Sequence, residues 1–147
     1  MASRTGRCMC GRVAFTLAQA PARFGACHCE MCRRWTGSAL LGMTVPRSEI
    51  EWTGSEHIEM LQSSDWAERA WCGHCGSALY YHVTAERPMS ASLELPIGLL
   101  DDASGLSFDN EIYIDHKPDS FGYAGDRTRL TRKDALAKFG IVEGDLQ

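Results

Sequence analysis

Cysteine is the residue type with the clearest chemical pattern in this sequence, with seven among 147 residues. The cysteines form three short groups: Cys8/Cys10, Cys27/Cys29/Cys32 and Cys72/Cys75. Their number is odd, and residues 1–10 have no apolar segment of the kind that a secretory signal needs. Thiols in a reducing compartment rarely form lasting disulfides, so metal ligation is the leading explanation.

The pair Cys72-Gly73-His74-Cys75 has the spacing of a zinc knuckle, in which both sulfurs turn onto one cation. A structural zinc takes four ligands, so a second pair must come from elsewhere in the chain. The candidates for that second pair are Cys8/Cys10 or members of Cys27/Cys29/Cys32. The count of ligands favours Cys8 and Cys10.

The group Cys27/Cys29/Cys32 places three thiols within six residues, which is compact enough to fill three corners of a tetrahedron. Zinc sites with three protein ligands and one open position activate water or a substrate, whereas sites with four ligands hold structure. The sequence therefore predicts two zinc ions per chain. The structural ion is assigned to Cys8, Cys10, Cys72 and Cys75, and the catalytic ion to Cys27, Cys29 and Cys32.

Other roles for these cysteines and their neighbours agree less well with the spacing. A free cysteine is often a small buried side chain, but two clusters with ligand spacing favour metal. An iron–sulfur cluster is also thiolate-bound, although the spacing matches none of the usual ferredoxin patterns. His28, His74 and His82 lie near the clusters. On an extended segment the ring of His28 points away from both neighbouring sulfurs, so we expect it to pack rather than to bind metal.

The elements that must position these residues are mostly short strands. Alternating or continuous apolar runs, separated by Gly, Pro, Asp and Ser, predict strands at 12–17, 23–27, 39–45, 50–52, 57–62, 68–71, 78–82, 91–95 and 111–115. One helical turn is predicted at 30–35. A capping box from Thr131 to Asp134 and a terminating Gly140 predict a C-terminal helix over about 131–140. The fold class is therefore mainly β with a short C-terminal helix.

Length and composition predict a single domain over 1–147, with a core over about 5–131. Hydrophobic residues make up 44% and charged residues 23%, as in ordinary globular domains. The formal net charge is −4 and the basic residues are scattered, which argues against nucleic-acid binding. No apolar run approaches the roughly 20 residues of a membrane span. We expect no nucleic acid and no membrane as partners, and a cytoplasmic location.

Three motifs resemble the glutathione-dependent formaldehyde-activating enzyme family, which also contains centromere protein V. They are Cys8-x-Cys10-Gly11, Cys27-His28-Cys29-x-x-Cys32-Arg33-Arg34-x-x-Gly37-Ser38 and Cys72-x-x-Cys75-Gly76-Ser77, and the likeness continues through Leu100-Asp101-Asp102 and Ile112-Tyr113-Ile114 to Leu130. The resemblance implies a β-tent of short antiparallel sheets pinned by the structural zinc. It also implies the division of ligands given above, and a carbon–sulfur lyase that joins formaldehyde to glutathione as S-hydroxymethylglutathione.

An open three-thiolate zinc fits that chemistry, because it accepts a fourth sulfur and would hold a substrate thiol as the nucleophilic thiolate. The predicted partners are a small thiol, with glutathione as first candidate, and a second copy of the chain in a homodimer. Arg33 and Arg34 are predicted to attract the substrate's carboxylates, although Arg33 has the spacing to pair with Glu30 instead. No proton donor is evident. The alternative is a noncatalytic zinc module that binds a protein.

Overall fold

The computed structural model describes residues 2–140, in which eleven strands and two α-helices are joined by short turns. The strands are β1 Ala2–Arg7, β2 Ala14–Ala20, β3 Arg23–Cys27, β4 Leu40–Pro46, β5 Ile50–Thr53, β6 Ile58–Gln62, β7 Ala67–Cys72, β8 Ala78–Val83, β9 Ser92–Pro96, β10 Ser107–Ile112 and β11 Thr128–Leu130. The helices are α1 Glu30–Thr36 and α2 Arg132–Lys138. The mainly β prediction is confirmed. Met1 and residues 141–147 of the predicted domain lie outside the described residues.

The strands form two sheets that differ in size. The small sheet has the order β1-β2-β5, and the large sheet has the order β11-β10-β3-β4-β9-β8-β7-β6. Most neighbours are antiparallel, as the resemblance implies, but β10 pairs parallel with both β3 and β11. No helix among residues 2–140 has both the length and the apolar character needed to cross a membrane.

The hydrophobic core lies between the two sheets. Phe15 and Leu17 alternate with exposed residues along β2, and Met43 and Val45 do the same along β4. Alternate residues of a strand share a face, so one face of each sheet contributes to this core. Each fully buried side chain of this size contributes about 1.5–3 kcal/mol through removal of apolar surface from water.

The other face of the large sheet, here called the site face, carries polar residues together with a glycine and Leu40. The register places Cys27 opposite Leu40, and Thr44 opposite Glu94. It also places Glu94 opposite Tyr81, and Tyr81 opposite Arg69. Residues paired in this way lie on the same face, as do residues two apart on one strand. The site face is thus defined by Cys27, Leu40, Gly42, Thr44, Glu94, Tyr81 and Arg69.

Two strands and one turn differ from the prediction. The first strand, β1, was not predicted because its sequence ASRTGR has no apolar alternation. The three-residue β11 is too short to leave a pattern. The strand predicted at 111–115 is wrong in its second half. The strand ends at Ile112, Tyr113 takes a left-handed conformation with φ of +55°, and Ile114–His116 forms a 3-10 turn.

The C-terminal helix is confirmed, and it begins as its capping residues predict. The Thr131 hydroxyl oxygen accepts a hydrogen bond from the backbone N–H of Asp134 at 3.2 Å. This contact satisfies one of the amides that lack a partner in the first turn of a helix. Ala135 and Leu136 are the buried residues of α2.

Gly54 is predicted to be the glycine least tolerant of substitution in the turns between strands. It has φ of +77°, and an alanine Cβ at this position would overlap the carbonyl oxygen of Arg12. Gly105 is the matched control, because its φ is +81° but an added Cβ would meet nothing within 4 Å. We expect Gly105→Ala to cost about 1–2 kcal/mol from the left-handed backbone alone.

We expect the decrease in melting temperature to be severalfold larger for Gly54→Ala than for Gly105→Ala, because backbone atoms of Arg12 must also move. The measurement is thermal unfolding of both variants at one fixed zinc concentration, since bound metal shifts the melting temperature. Equal melting temperatures for the two variants would contradict the close approach of Gly54 to Arg12.

Candidate metal centres

The first candidate centre consists of the sulfurs of Cys8, Cys10, Cys72 and Cys75, which all lie within 4.8 Å of one another. The sulfurs of Cys8 and Cys10 are 3.5 Å apart, and those of Cys10 and Cys72 are 3.8 Å apart. A tetrahedral zinc with Zn–S bonds of about 2.3 Å separates its sulfurs by about 3.8 Å. The four thiols therefore fit one zinc ion.

Hydrogen bonds shape the two turns that present these sulfurs. The N–H of Cys8 donates to the carbonyl of Val13 at 2.9 Å, and the N–H of Val13 donates back to the Cys8 sulfur at 3.4 Å. In the second turn, the N–H of Cys72 donates to the carbonyl of Ser77 at 2.9 Å. The hydroxyl of Ser77 also accepts from the N–H of Met9, so the turns contact each other directly. This centre joins the start of the small sheet to β7 of the large sheet.

The second candidate centre consists of the sulfurs of Cys27, Cys29 and Cys32, which also lie within 4.8 Å of one another. Cys27 ends β3, Cys29 caps α1, and Cys32 lies in its first turn. The Cys29 sulfur accepts a hydrogen bond from the N–H of Cys32 at 3.3 Å, so helix capping fixes its direction. Among residues 2–140, no His, Cys, Asp or Glu side chain adds a fourth ligand atom to this group.

The second centre has an electrostatic preference for one thiolate. Hydrogen bonds from the thiols of Cys27 and Cys32 lower the pKa of Cys29 well below its usual value, with help from the Cys32 amide and the charge of Arg69. The same hydrogen bond to Cys29 raises the pKa of Cys27, since this thiol keeps its proton as the donor. A cation placed among the three sulfurs would replace the shared protons.

Arg69 is the nearest cationic partner of this centre, and the sequence analysis missed it. It is only 6% exposed, and its Nη1 donates to the Cys32 sulfur at 3.7 Å. Its guanidinium lies 4.9 Å from the ring centres of both Trp35 and Tyr81, where cation–π attraction favours it. Three thiolates around Zn²⁺ carry a formal charge of −1, which this guanidinium offsets. Arginine in the strand before Cys72 was the available signal, but spacing does not show which cluster it faces.

His28 is buried on the face opposite Cys27 and does not belong to the sulfur cluster. Its Nε2 lies 2.8 Å from Oε1 of Glu111, which is 1% exposed. The other carboxylate oxygen of Glu111 accepts from Arg127 at 2.8 Å and from Arg129 at 3.1 Å. Burial raises the pKa of Glu111, but hydrogen bonds from His28 and the two arginines outweigh it and lower the pKa. This network fixes the backbone between Cys27 and Cys29.

The two arginines predicted to bind substrate lie on the surface. The other two histidines near the clusters add no ligand atom to either group of sulfurs. Arg33 and Arg34 are exposed on α1, and Arg34, not Arg33, pairs with Glu30, at 2.9 Å. The pairing predicted for Arg33 is therefore wrong by one residue, because the (i, i+4) spacing aligns better on this short helix. His74 is exposed, and His82 is bonded to Glu68 and the carbonyl of Ser90.

The sequence profile described as "Glutathione-dependent formaldehyde-activating enzyme" matches residues 3–116 of this chain. The matched range contains both cysteine centres, and it ends before β11 and α2. A match over most of the chain shows common ancestry, so the chain belongs to the glutathione-dependent formaldehyde-activating enzyme family.

Two similar proteins extend this result. A Schizosaccharomyces pombe protein named "Uncharacterized lyase C29B12.13" is 27% identical over 132 residues, covering 89% of this chain and 93% of its own. A solved protein from Rhodobacter sphaeroides has a TM-score of 0.54 and 24% identity, covering 66% of this chain and 87% of its own. The second likeness supports the fold alone.

Substitution of one cysteine in each centre should separate their roles. We expect Cys72→Ser to unfold the protein, because a structural zinc contributes about 10–16 kcal/mol of apparent binding free energy, as much as a whole domain's stability. We expect Cys29→Ser to lose one metal ion while keeping the fold, because its three ligands lie close in sequence and constrain little chain.

Circular dichroism and elemental analysis of both variants, purified in parallel, measure these outcomes. A folded Cys72→Ser protein with two metal ions would overturn the structural role of the first centre. A Cys29→Ser protein that melts as far below the wild type as Cys72→Ser does would overturn the division between the two centres.

Proposed function

We propose that this chain is a zinc-dependent carbon–sulfur lyase that forms or cleaves an adduct between a small thiol and an aldehyde. S-hydroxymethylglutathione, formed from glutathione and formaldehyde, is the first candidate adduct. The observation that carries the proposal is the group of three converging sulfurs without a fourth side-chain ligand among residues 2–140. Family membership and the lyase name of the S. pombe relative support it.

The donor atoms of both centres support zinc as the metal. All seven are thiol sulfurs, which are soft ligands, and the sulfur distances in the first centre suit a tetrahedral ion. When bound at Cys27, Cys29 and Cys32, zinc would supply an open position for a fourth sulfur and hold a thiol deprotonated near neutral pH.

Side chains around the second centre would bind and orient an anionic thiol. Arg69 places a buried positive charge against Cys32, which favours the arrival of a further thiolate. Arg33 and Arg34 are exposed cations on the turn that carries Cys32, and they are proposed to attract the carboxylates of glutathione. Since the chemistry needs reduced thiols, the proposal includes a reducing compartment such as the cytoplasm.

Cobalt substitution makes the proposed fourth ligand visible. A cobalt ion held by three thiolates should change its visible spectrum when glutathione adds a fourth sulfur. S-methylglutathione is the matched control, because it keeps the peptide and its charges but has no ionisable thiol. The Cys29→Ser variant should show no change with either compound, because its second centre is broken.

Activity is measured separately, as the exchange rate between free formaldehyde and the thiol adduct in nuclear magnetic resonance spectra. We expect the zinc protein to accelerate this exchange above the rate in buffer. If glutathione and S-methylglutathione give the same cobalt spectrum, direct thiol ligation is wrong. If exchange is also not accelerated, the noncatalytic interaction module becomes the better description.

A further inference from the structure

Glu94 is a half-buried carboxyl group on the site face of the large sheet. It lies on β9, and its neighbours across the sheet are Thr44 on β4 and Tyr81 on β8. The Thr44 hydroxyl donates to Oε1 of Glu94 at 2.6 Å. This hydrogen bond engages Oε1, while the second oxygen, Oε2, lies over Gly42 of β4.

Neighbouring residues on three strands of the large sheet connect Glu94 to the second metal centre. Tyr81 is the cross-strand neighbour of Glu94, and its ring stacks on the guanidinium of Arg69. Arg69 in turn donates to the sulfur of Cys32. Cross-strand neighbours have Cβ atoms about 5 Å apart, so Glu94 lies beside the ring that packs against the centre's cation.

A second set of neighbouring residues on the site face connects Glu94 to Cys27 through β4 and β3. Gly42 on β4 pairs with Gly25 on β3, two residues before Cys27. Strand spacings of about 4.8 Å and about 3.4 Å per residue put the Cα atoms of Gly42 and Cys27 about 8 Å apart. Oε2 of Glu94 lies 3.3 Å from the position that a Cβ on Gly42 would take. The carboxyl therefore lies over Gly42 and beside Leu40, the residue that pairs with Cys27.

The paired glycines have no side chains of their own, and side chains of neighbouring residues lie over them. A Cβ on Gly25 would overlap Oδ1 of Asn110, which reaches over it from β10. The carboxamide of Asn110 therefore lies over Gly25, and the carboxyl of Glu94 lies over Gly42 on the neighbouring strand.

The proposed reaction requires a proton donor beside the reacting aldehyde oxygen. When a thiolate sulfur attacks an aldehyde carbon, a carbon–sulfur bond forms, the carbonyl π-pair moves to oxygen, and that oxygen needs a proton. Burial raises the pKa of Glu94 to about 7, and the Thr44 hydrogen bond acts against this rise. A group with a pKa near neutral pH both donates and accepts protons efficiently.

We propose that Glu94 is the proton-transfer residue of the second centre, donating its proton to the aldehyde oxygen during addition and removing it during cleavage. The step balances as thiolate plus aldehyde plus carboxylic acid giving S-hydroxyalkyl thioether plus carboxylate. The proton released when the next thiol ionises restores the acid through solvent. This inference rests on the proposed function, because it assumes that a thiol and an aldehyde react at this centre.

The other groups that face Glu94 do not titrate near neutral pH. Thr44 and Gly42 face it from β4, and Tyr81 faces it from β8. Burial raises the pKa of Tyr81 above its ordinary value, which is already well above neutral pH, and Arg69 lies beyond it on β7. A change in rate around pH 7 that disappears without Glu94 can therefore be assigned to Glu94.

The test compares Glu94→Gln with the wild type in thiol binding and in adduct exchange. We expect unchanged cobalt spectra with glutathione, and an exchange rate at saturating thiol that falls about 10²–10⁴-fold. The wild-type rate of addition should decrease as the pH rises through about 7, because the acid form is lost, and Glu94→Gln should lack this limb. Glu51→Gln, an exposed charge change on the small sheet, is the matched control and should behave as wild type.

A second variant keeps the test decisive if Glu94→Gln does not fold. Thr44→Val removes the hydrogen bond that stabilises the carboxylate, so the limb should move to higher pH. A wild-type rate and pH profile in Glu94→Gln, or an unmoved limb in Thr44→Val, would overturn the role of Glu94 while leaving the lyase proposal standing. Loss of thiol binding in Glu94→Gln would show a binding role and also overturn it. Failure of the wild type to bind thiol would overturn the lyase proposal itself.

Discussion

The convergence of four cysteine sulfurs from two distant parts of the chain is the constraint on which the rest of the structure depends. Cys8 and Cys10 follow the first strand, and Cys72 and Cys75 lie more than sixty residues later. A metal ion that joins them closes a long loop and fixes the small sheet on the large one. The hydrophobic core lies between the sheets that this centre joins.

The large sheet uses its two faces for different purposes. One face packs against the small sheet, and the site face supports the second group of sulfurs. Three neighbouring strands place Arg69, Tyr81 and Glu94 in one row across that face. The three sulfurs come from one short segment, but Arg69, the cation that contacts them, comes from a strand distant in sequence, and Glu94 lies in the same row as Arg69. Under the proposed function, this arrangement would separate the metal ion that stabilises the fold from the metal ion that binds substrate.

The sequence predicted the features that depend on local spacing. The grouping of the cysteines, strand β3, the first helical turn and the Thr131 cap all follow from residues that lie close together in the chain. The partners of the centres were not predictable in this way. Arg69, Glu94 and the Glu111 network come together through strand order and register, which spacing does not show. The left-handed turn at Tyr113 was missed for a different reason. Apolar residues continue past the end of the strand, so their pattern predicts a longer strand.

X-ray absorption spectroscopy at the zinc edge measures the sulfur ligands of the two centres most directly. The protein with both metals bound has seven cysteine sulfurs for two ions, so we expect an average of 3.5 sulfurs per zinc. Addition of glutathione should raise this average to four, because one further sulfur joins the second centre. An average of four sulfurs before any thiol is added, or an average that glutathione leaves unchanged, would contradict an open three-thiolate zinc at Cys27, Cys29 and Cys32.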